Sequence, residues 1–298
     1  MVTAADRAKG PARTSVWLGG KVTRTRRTDQ PDGLDLDKIT AATVRLLDSE
    51  GLAKFSMRRL AAELGVTAMS VYWYVDTKDD LLELAVDAVM GELVLSGAEV
   101  GSDGSDGSEN GPEVGSDGSE VGSDGPDRSD DGADWRVQLR SLAAGYRGIL
   151  VRHPWLSPLV GVFLNIGPCA LKFSEASQDV MRRAGLPLTG QTGGLAAVFQ
   201  FVYGFGTVEG HFRDRCARAG MTQDEYYQHA MGGMSEQPSL RRTFEQAQDV
   251  MAARGGDTVE EMQERDFGFA LDLLIAGIEA KRGAGEETGP GSVPPAGQ

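Results

Sequence analysis

The chain of 298 residues is poor in the residue types that build chemical centres. It has only two cysteines, Cys169 and Cys216, and three histidines. Two isolated thiols give neither a disulfide framework nor a zinc site, so a reducing cytoplasm is the expected location. The sequence has no run of eighteen apolar residues, and its N-terminus lacks the apolar stretch of a secretory signal. We therefore expect no membrane segment.

Motifs of catalysis are also missing. The sequence contains no glycine-rich phosphate loop with its lysine, no His-x-x-x-His metal pair and no Gly-x-Ser-x-Gly nucleophile turn. The acidic cluster of Glu260, Glu261 and Glu264 is interpreted as a solvent-facing helix surface. We therefore expect neither an enzyme nor a bound cofactor or metal ion.

The formal net charge of −14 is unevenly distributed along the chain. Residues 97–134 carry twelve acidic side chains and one basic side chain in Gly-Ser-Asp units, and segment 99–105 recurs at 113–119. Too few apolar side chains are present to offset the entropy of ordering, so the segment predicts a flexible acidic linker. A polyanionic mimic of DNA is the alternative. Residues 1–33, with seven basic against three acidic side chains, predict a disordered basic arm, and 284–298 predict a disordered tail.

Apolar residues recur at three- and four-residue spacing in two blocks, 34–96 and 135–283, and no strand-like alternation is found. This pattern predicts an all-α protein. The first block is expected to be a three-helix helix-turn-helix DNA-binding domain, and the second a helical regulatory and dimerisation domain. Within the second block, the pattern predicts helices at Trp135–Arg152, Pro168–Ala184, Leu195–Arg218 and Thr258–Arg282.

The first block carries helix start and turn signals at close spacing. Ser56, Thr67 and Thr77 can each cap the helix that follows. Gly65 precedes the short helix 68–74, at a point where a sharp turn needs a positive φ. Two short helices joined by a tight turn form a helix-turn-helix, whose second helix enters the DNA major groove.

The outward-facing residues of this segment favour DNA binding over an ordinary helical pair. Met69, Tyr72 and Tyr74 lie off the core face set by Val71, and an exposed cluster of Tyr and Met needs a partner. Arg58, on the preceding helix, is placed to contact a phosphate or a base edge. On helix spacing alone, two short helices of an unrelated helical domain would be the alternative.

The segment Phe55–Leu82, with Tyr72-Trp73-Tyr74-Val75 followed by Lys78, resembles the signature of the TetR family and of its tetracycline-repressor branch. The second block resembles the C-terminal domain of that branch more loosely, through His153-Pro154-Trp155 and residues 267–278. The resemblance implies DNA contacts by nine residues: Arg58, Thr67, Ala68, Met69, Ser70, Tyr72, Trp73, Tyr74 and Lys78.

The roles of two parts of this interface have alternatives. Trp73 could cover the edge of the core or contact a sugar, and packing is favoured. Arg24, Arg26 and Arg27 could enter a minor groove, attract phosphates or do nothing. A contribution to affinity is favoured, because the block 34–96 is itself net acidic.

The resemblance also implies that the second block dimerises and binds a small molecule. Helices Leu195–Arg218 and Thr258–Arg282 are the interface candidates, because their small residues permit close helix approach. Monomer core is the alternative. An apolar cavity is expected to bind the inducer through six residues: His153, Asn165, Phe173, Phe199, Gln200 and Tyr203. Further candidates are Phe163, Met181, Phe201, Met231, Glu209 and His211.

The resulting hypothesis is a ligand-responsive repressor that binds a palindromic operator in double-stranded DNA as a homodimer. A small-molecule inducer releases it from the DNA. No histidine follows the first block where the tetracycline-repressor branch uses one, so a magnesium–tetracycline ligand is not expected. A ligand-independent activator or architectural DNA-binding protein is the alternative.

Overall fold

The structure is a computed structural model that describes residues 15–19, 34–93 and 134–282. These residues form eleven α-helices and one 3₁₀ turn, Val16–Gly19, and contain no β-strand. The predicted all-α fold is confirmed. None of the described helices is long and apolar enough to cross a membrane.

The N-terminal part, called the head below, is built from short helices around a small apolar core. Ile39, Leu47, Leu60 and Val71 are fully buried there. Helices of this length are marginal by themselves, so packing stabilises them. The four helices are α1 (Leu36–Glu50), α2 (Met57–Glu63), α3 (Ala68–Tyr72) and α4 (Lys78–Met90).

The C-terminal part, called the body below, is a packed array of longer helices. Its helices are α5 (Trp135–Arg152), α6 (Ser157–Val160), α7 (Pro168–Arg183), α8 (Leu188–Arg218), α9 (Gln223–Glu236), α10 (Pro238–Arg254) and α11 (Val259–Arg282).

Helices α5 and α8 approach each other closely along the centre of the body. A Cβ atom at Gly210 would lie 2.7 Å from the carbonyl oxygen of Leu150, and one at Gly206 would lie 3.1 Å from the Leu150 Cβ. Only glycine permits this contact at Gly210. Both glycines therefore serve packing within one chain, which is the monomer-core alternative for this part of the helix.

Two further features of the long helices bear on the predictions. Helix α8 begins at Leu188 rather than 195, because packing carries the helix through Gly190, Gly193 and Gly194. Each glycine weakens a helix by about 1 kcal/mol relative to alanine, which is why the sequence pattern stops short. On α11, Phe267, Leu271, Ile275 and Ile278 are buried in the core of the same chain, so the monomer-core alternative applies to these residues.

Helix α4 links the head to the body. Buried residues of both parts form one continuous apolar core. Ten residues of α4 are buried, including the carboxylates of Asp80, Glu83 and Asp87. Buried carboxylates need hydrogen-bond donors, and α4 receives them from three different segments of the chain.

The N-terminal arm is not wholly disordered. Ser15 and Val16 are buried against α4. The Ser15 hydroxyl donates to the Glu83 carboxylate, and the Val16 amide donates to Glu83 Oε2 at 2.8 Å. The prediction of disorder is therefore wrong for residues 15–19. Arg24, Arg26 and Arg27, nearly all of the acidic linker 97–134 and the tail 284–298 lie outside the described residues.

Candidate DNA-reading surface and ligand cavity

Side-chain caps fix the starts of α2, α3 and α4, as predicted. The Ser56 hydroxyl accepts from the amide three residues later at 3.3 Å, and the Thr67 hydroxyl does the same at 3.2 Å. Thr77 accepts from the Asp80 amide at 3.0 Å, and the Asp80 carboxylate accepts in return from the Thr77 amide. Each cap satisfies an amide that the helix itself leaves free.

The turn between α2 and α3 is the sharp turn of a helix-turn-helix. Gly65 adopts a φ of 66°, as its position in the sequence predicts. The Val66 amide then donates to the Ala61 carbonyl at 2.9 Å, and Val71 anchors α3 through its fully buried side chain. The turn and this anchor set the direction in which α3 presents its other face.

That face of α3 is apolar and open to solvent. Met69 is 69% exposed, Tyr72 is 40% exposed and Trp73 is 58% exposed. The preference for packing of Trp73 against the core is therefore wrong. An exposed Met-Tyr-Trp cluster on a helix of this motif can contact thymine methyl groups and sugars.

The cationic side chains near α3 differ in whether they are already paired. Arg58 is exposed and has no ion-pair partner among the described residues. Arg59 forms an ion pair with Glu50. The Lys78 ammonium donates to the Phe55 carbonyl at 3.0 Å. An ammonium has three donors, so Lys78 keeps the capacity to bind a phosphate.

The remaining predicted contacts lie on α3 or beside its two ends. The hydroxyl oxygens of Thr67 and Ser70 are 2.9 Å apart, and Ala68 is half-buried beside them. Tyr74 departs from the prediction, because its hydroxyl donates to the Leu34 carbonyl and its ring is half-buried. Its proton is therefore used inside the head and is not offered to a DNA phosphate.

The body contains a cavity of about 740 Å³ that is partly open to solvent and is lined by residues of α4, α5, α6, α7 and α8. Phe173, Phe199 and Asn165, three of the six predicted ligand contacts, line it. Tyr146 completes an aromatic wall, with its ring centroid 5.4 Å from Phe173. Burial raises the pKa of Tyr146 to about 12.

The other three predicted ligand residues do not line this cavity. Gln200 is exposed on α8. The Tyr203 hydroxyl donates to the Ser157 carbonyl at 2.9 Å. His153 is buried between the head and the body. The further candidates also lie outside the lining: Phe163, Met181, Phe201, Met231, Glu209 and His211.

Several lining residues could not have been found by reading one segment at a time. Met90 ends α4, Tyr146 lies on α5, Gln178 on α7, and Gln191 and Leu195 on α8. They come from helices that are far apart in the sequence and meet only when the body packs. The apolar stripe of α5 placed Tyr146 in the core, but gave no sign of an adjacent cavity.

Asp87 joins α4 to the start of α7. Its carboxylate accepts from the Ala170 amide at 2.9 Å and from the Cys169 amide at 3.1 Å. Gly167, which precedes α7, has no side chain to cap that helix, so α4 supplies the cap. Met90, one turn after Asp87, and Ala170 both line the cavity. The cavity is therefore in direct contact with the helix that leads to the head.

His153 forms a second junction between head and body. Its Nδ1 lies 2.6 Å from Asp48 at the end of α1, and its Nε2 lies 3.3 Å from Glu92 just after α4. Trp155 donates from Nε1 to the same Asp48 oxygen at 2.6 Å. Burial alone would lower the pKa of His153, but the hydrogen bonds and charges of Asp48 and Glu92 outweigh it and raise the pKa.

A helix-turn-helix head, a cavity in the body and a helix that joins them are the arrangement of a DNA-binding regulator. Comparison with known proteins supports this class. Residues 39–85 match the model of the bacterial regulatory proteins of the tetR family, and residues 127–282 match the tetracyclin repressor-like C-terminal domain. The chain belongs to the TetR family of DNA-binding transcriptional regulators, and the resemblance seen in the sequence is confirmed.

Two curated relatives match most of the chain. An HTH-type transcriptional regulator from Saccharopolyspora erythraea is 31% identical over 250 residues, which cover 84% of this chain and 86% of the relative. The HTH-type transcriptional repressor DrrR1 from Streptomyces coeruleorubidus is 28% identical, with coverage of 90% and 85%.

Solved structures share the fold. ActR from Streptomyces coelicolor, in complex with actinorhodin, superposes with a TM-score of 0.55 at 23% identity, covering 84% of this chain and 99% of ActR. Another TetR regulator from the same organism superposes with a TM-score of 0.57 at 20% identity, with coverage of 84% and 99%.

Proposed function

We propose that the protein is a homodimeric repressor whose two heads hold a palindromic operator, and that a small molecule in the cavity releases it. The observation that carries the proposal is the contact between Asp87 and the start of α7. Ala170 donates to Asp87 and also lines the cavity. A ligand that displaces Ala170 or Met90 therefore moves α4, and this movement shifts the other helices of the head.

Such a ligand shifts the protein only if it binds one arrangement of α4 and α7 more tightly than the other. The relatives support this interpretation. ActR has been solved both without ligand and with actinorhodin or (S)-DNPA bound. DrrR1 is named as a repressor.

The exposed face formed by α8 and α11 is the proposed dimer interface. Phe269 is 69% exposed and Leu273 is 61% exposed on α11, and Val208 is 71% exposed on α8. Gly190 and Gly193 line a groove of about 650 Å³ between the two helices. Exposed apolar side chains beside small residues allow two copies to pack closely. A two-fold dimer presents its heads to a palindromic site.

The DNA part of the proposal is tested by a matched pair of variants on α2. DNA fragments flanking the gene are footprinted, and the protected sequence is titrated by fluorescence anisotropy at fixed salt. We expect Arg58→Ala to weaken binding about tenfold or more, because Arg58 is free to contact a base or phosphate. Arg59→Ala should weaken it less than about threefold, because Arg59 is already paired with Glu50.

The outcomes are distinct. If no fragment is protected, the proposed repressor function fails. If a fragment is protected but no compound ever releases the protein, the ligand-independent regulator is supported instead.

The dimer is tested by sedimentation of Phe269→Glu, with Val250→Glu on α10 as the control, since Val250 is 74% exposed but lies outside the proposed face. Only Phe269→Glu should yield monomers.

A further inference from the structure

The chemistry of the cavity indicates what kind of molecule it binds, an inference that rests on the ligand response proposed above. Rings from α5, α7 and α8 form one wall. Tyr146 and Phe173 have centroids 5.4 Å apart, and Phe173 and Phe199 are 5.2 Å apart at an interplanar angle of 78°. Rings inclined in this way expose both faces and edges. Another aromatic ring can pack favourably against either.

The wall has little charge to offer. Arg182 is the charged residue of the lining, but its side chain is 68% exposed and pairs with Asp179 at 2.6 Å. Tyr146 is neutral at physiological pH, since burial raises its pKa to about 12. A charged group entering the cavity would lose part of its water and meet no unpaired opposite charge among the described lining residues. The geometry therefore favours an uncharged ligand.

The polar groups of the wall have mostly used their donors. Ser177 donates from its hydroxyl at 2.7 Å, Thr192 from its hydroxyl at 3.1 Å and Gln191 from its amide nitrogen at 2.9 Å. In each case the acceptor is a main-chain carbonyl three to five residues earlier. The oxygens of these groups remain available as acceptors, so a ligand that supplies a hydrogen-bond donor is matched to them.

Among these residues, Asn165 has the acceptor oxygen that most needs a donor. It has a φ of 50°, and its Nδ2 donates to the carbonyls of Val160 at 2.7 Å and Phe163 at 3.1 Å. These two carbonyls fix which end of the amide carries the nitrogen. Its Oδ1 is buried and has no hydrogen-bond partner within the described part of the chain. A buried acceptor left without a donor is costly, so a ligand that displaces the atoms covering Oδ1 and places a donor against it gains binding energy.

We propose that the cavity binds a flat, uncharged aromatic molecule whose hydroxyl group donates a hydrogen bond to Asn165 Oδ1. The ring system lies against Tyr146, Phe173 and Phe199. The cavity volume of about 740 Å³ accommodates a molecule of several fused rings.

Three probes with one ring system test the hydroxyl and the charge separately. The full chain is titrated with 2-hydroxyphenanthrene, 2-methoxyphenanthrene and phenanthrene-2-carboxylate, and binding is followed by calorimetry. We expect the hydroxyl compound to bind about tenfold more tightly than the methoxy compound, the fold-change of one satisfied buried hydrogen bond. The carboxylate should bind at least as weakly as the methoxy compound. Equal affinities for all three probes would overturn the proposal.

Two variants assign these preferences to residues. Asn165→Gly keeps the positive φ and removes the acceptor, so the preference for hydroxyl over methoxy should fall below about threefold. Phe199→Leu should weaken both compounds and leave their ratio unchanged. Phe201→Leu, on the same helix but packed on Phe267, is the control and should leave both affinities unchanged. Circular dichroism checks that each variant is folded. A hydroxyl preference that persists in Asn165→Gly contradicts the assignment.

A parallel operator titration separates this inference from the proposed function. If 2-hydroxyphenanthrene binds with the expected preference but operator affinity does not change, the ligand assignment stands and the release mechanism fails. If the operator is bound but none of the three probes binds, the ligand assignment fails and the DNA-binding function stands.

Discussion

In the head, each helix begins at a side chain that lies a few residues from the amide it caps. Asp35, Ser56, Thr67 and Thr77 all act in this way. In the body, α5 and α9 have such caps at Asp134 and Thr222, but α7 and α8 begin without a side-chain cap of their own. Helix α7 obtains its cap from Asp87, more than eighty residues earlier in the chain.

The two kinds of cap have different consequences for movement. A local cap stabilises a helix regardless of what the rest of the chain does, which suits a surface that must keep its shape on DNA. A cap supplied by another helix transmits movement, because neither helix can shift without affecting the other. The cap that Asp87 gives to α7 therefore couples two helices, whereas each cap of the head acts within its own helix.

The largest effect should follow from cutting a long-range contact in the body. Arg147 is buried between Glu209 and Glu264, and its guanidinium lies 4.6 Å from the Phe267 ring centroid. Arg147→Ala leaves the buried Glu209 unpaired, so we expect the free energy of unfolding in urea to fall by about 3–5 kcal/mol. Arg140→Ala is the control.

Arg140 lies on the same helix and pairs with Asp272 at the surface. Its loss should change the free energy of unfolding by about 0.5 kcal/mol or less. Equal losses in the two variants would remove the contrast between buried and exposed pairs in the body.

Asp87 should have the next largest effect. Asp87→Ala removes the acceptor for two amides of α7, and we expect a loss of about 2 kcal/mol in the free energy of unfolding. Hydrogen exchange measured by mass spectrometry should show faster exchange in the first turn of α7. Asp87→Asn keeps an acceptor oxygen and should lose less. Unchanged exchange in the Ala variant would show that Asp87 does not join the two helices.

Removal of a local cap should have a smaller and more confined effect. Thr67→Ala removes the hydroxyl that accepts from the Ser70 amide, at a cost of about 1 kcal/mol. Operator affinity should fall, while hydrogen exchange in α7 should match the wild type. Thr67→Ser retains the cap and serves as the control. Faster exchange in α7 would contradict the proposed independence of the head caps.

The smallest effect is a pH dependence at the His153 junction. The pKa of His153 is raised in the folded state by Asp48 and Glu92, so its contribution is complete below the unfolded value. The contribution is lost as the pH rises through the raised, folded-state pKa. We expect the difference in Tm between wild type and His153→Gln to be larger near pH 5.5 than near about pH 9. A constant difference across this range would show that the junction does not depend on protonation.

Sequence reasoning succeeded where the physics is local. The caps at Ser56, Thr67 and Thr77 and the positive φ of Gly65 each depend on a few neighbouring residues, and all were confirmed. Helix α9 went undelineated, although its capping box at Thr222 was a usable signal.

Reasoning from sequence was wrong where a residue's partner lies far along the chain. His153 was expected in the ligand site, but Asp48 and Glu92 hold it at the head–body junction. The small residues of the helix Leu195–Arg218 were interpreted as allowing close approach of a second copy, but Gly210 on this helix packs against Leu150 of the same chain. In both cases, the residue type indicated the kind of contact, polar for His153 and close for Gly210. It could not indicate which residue would be the contact partner.

The sequence by itself determined the head: its helices, its turn and the apolar face of α3 follow from hydrogen bonds and packing between near neighbours. Only the tertiary structure decided the cavity, the cap that Asp87 gives to α7 and the free acceptor of Asn165. These depend on which helices meet and at what distance, and this is set by the packing of the whole body rather than by any one segment.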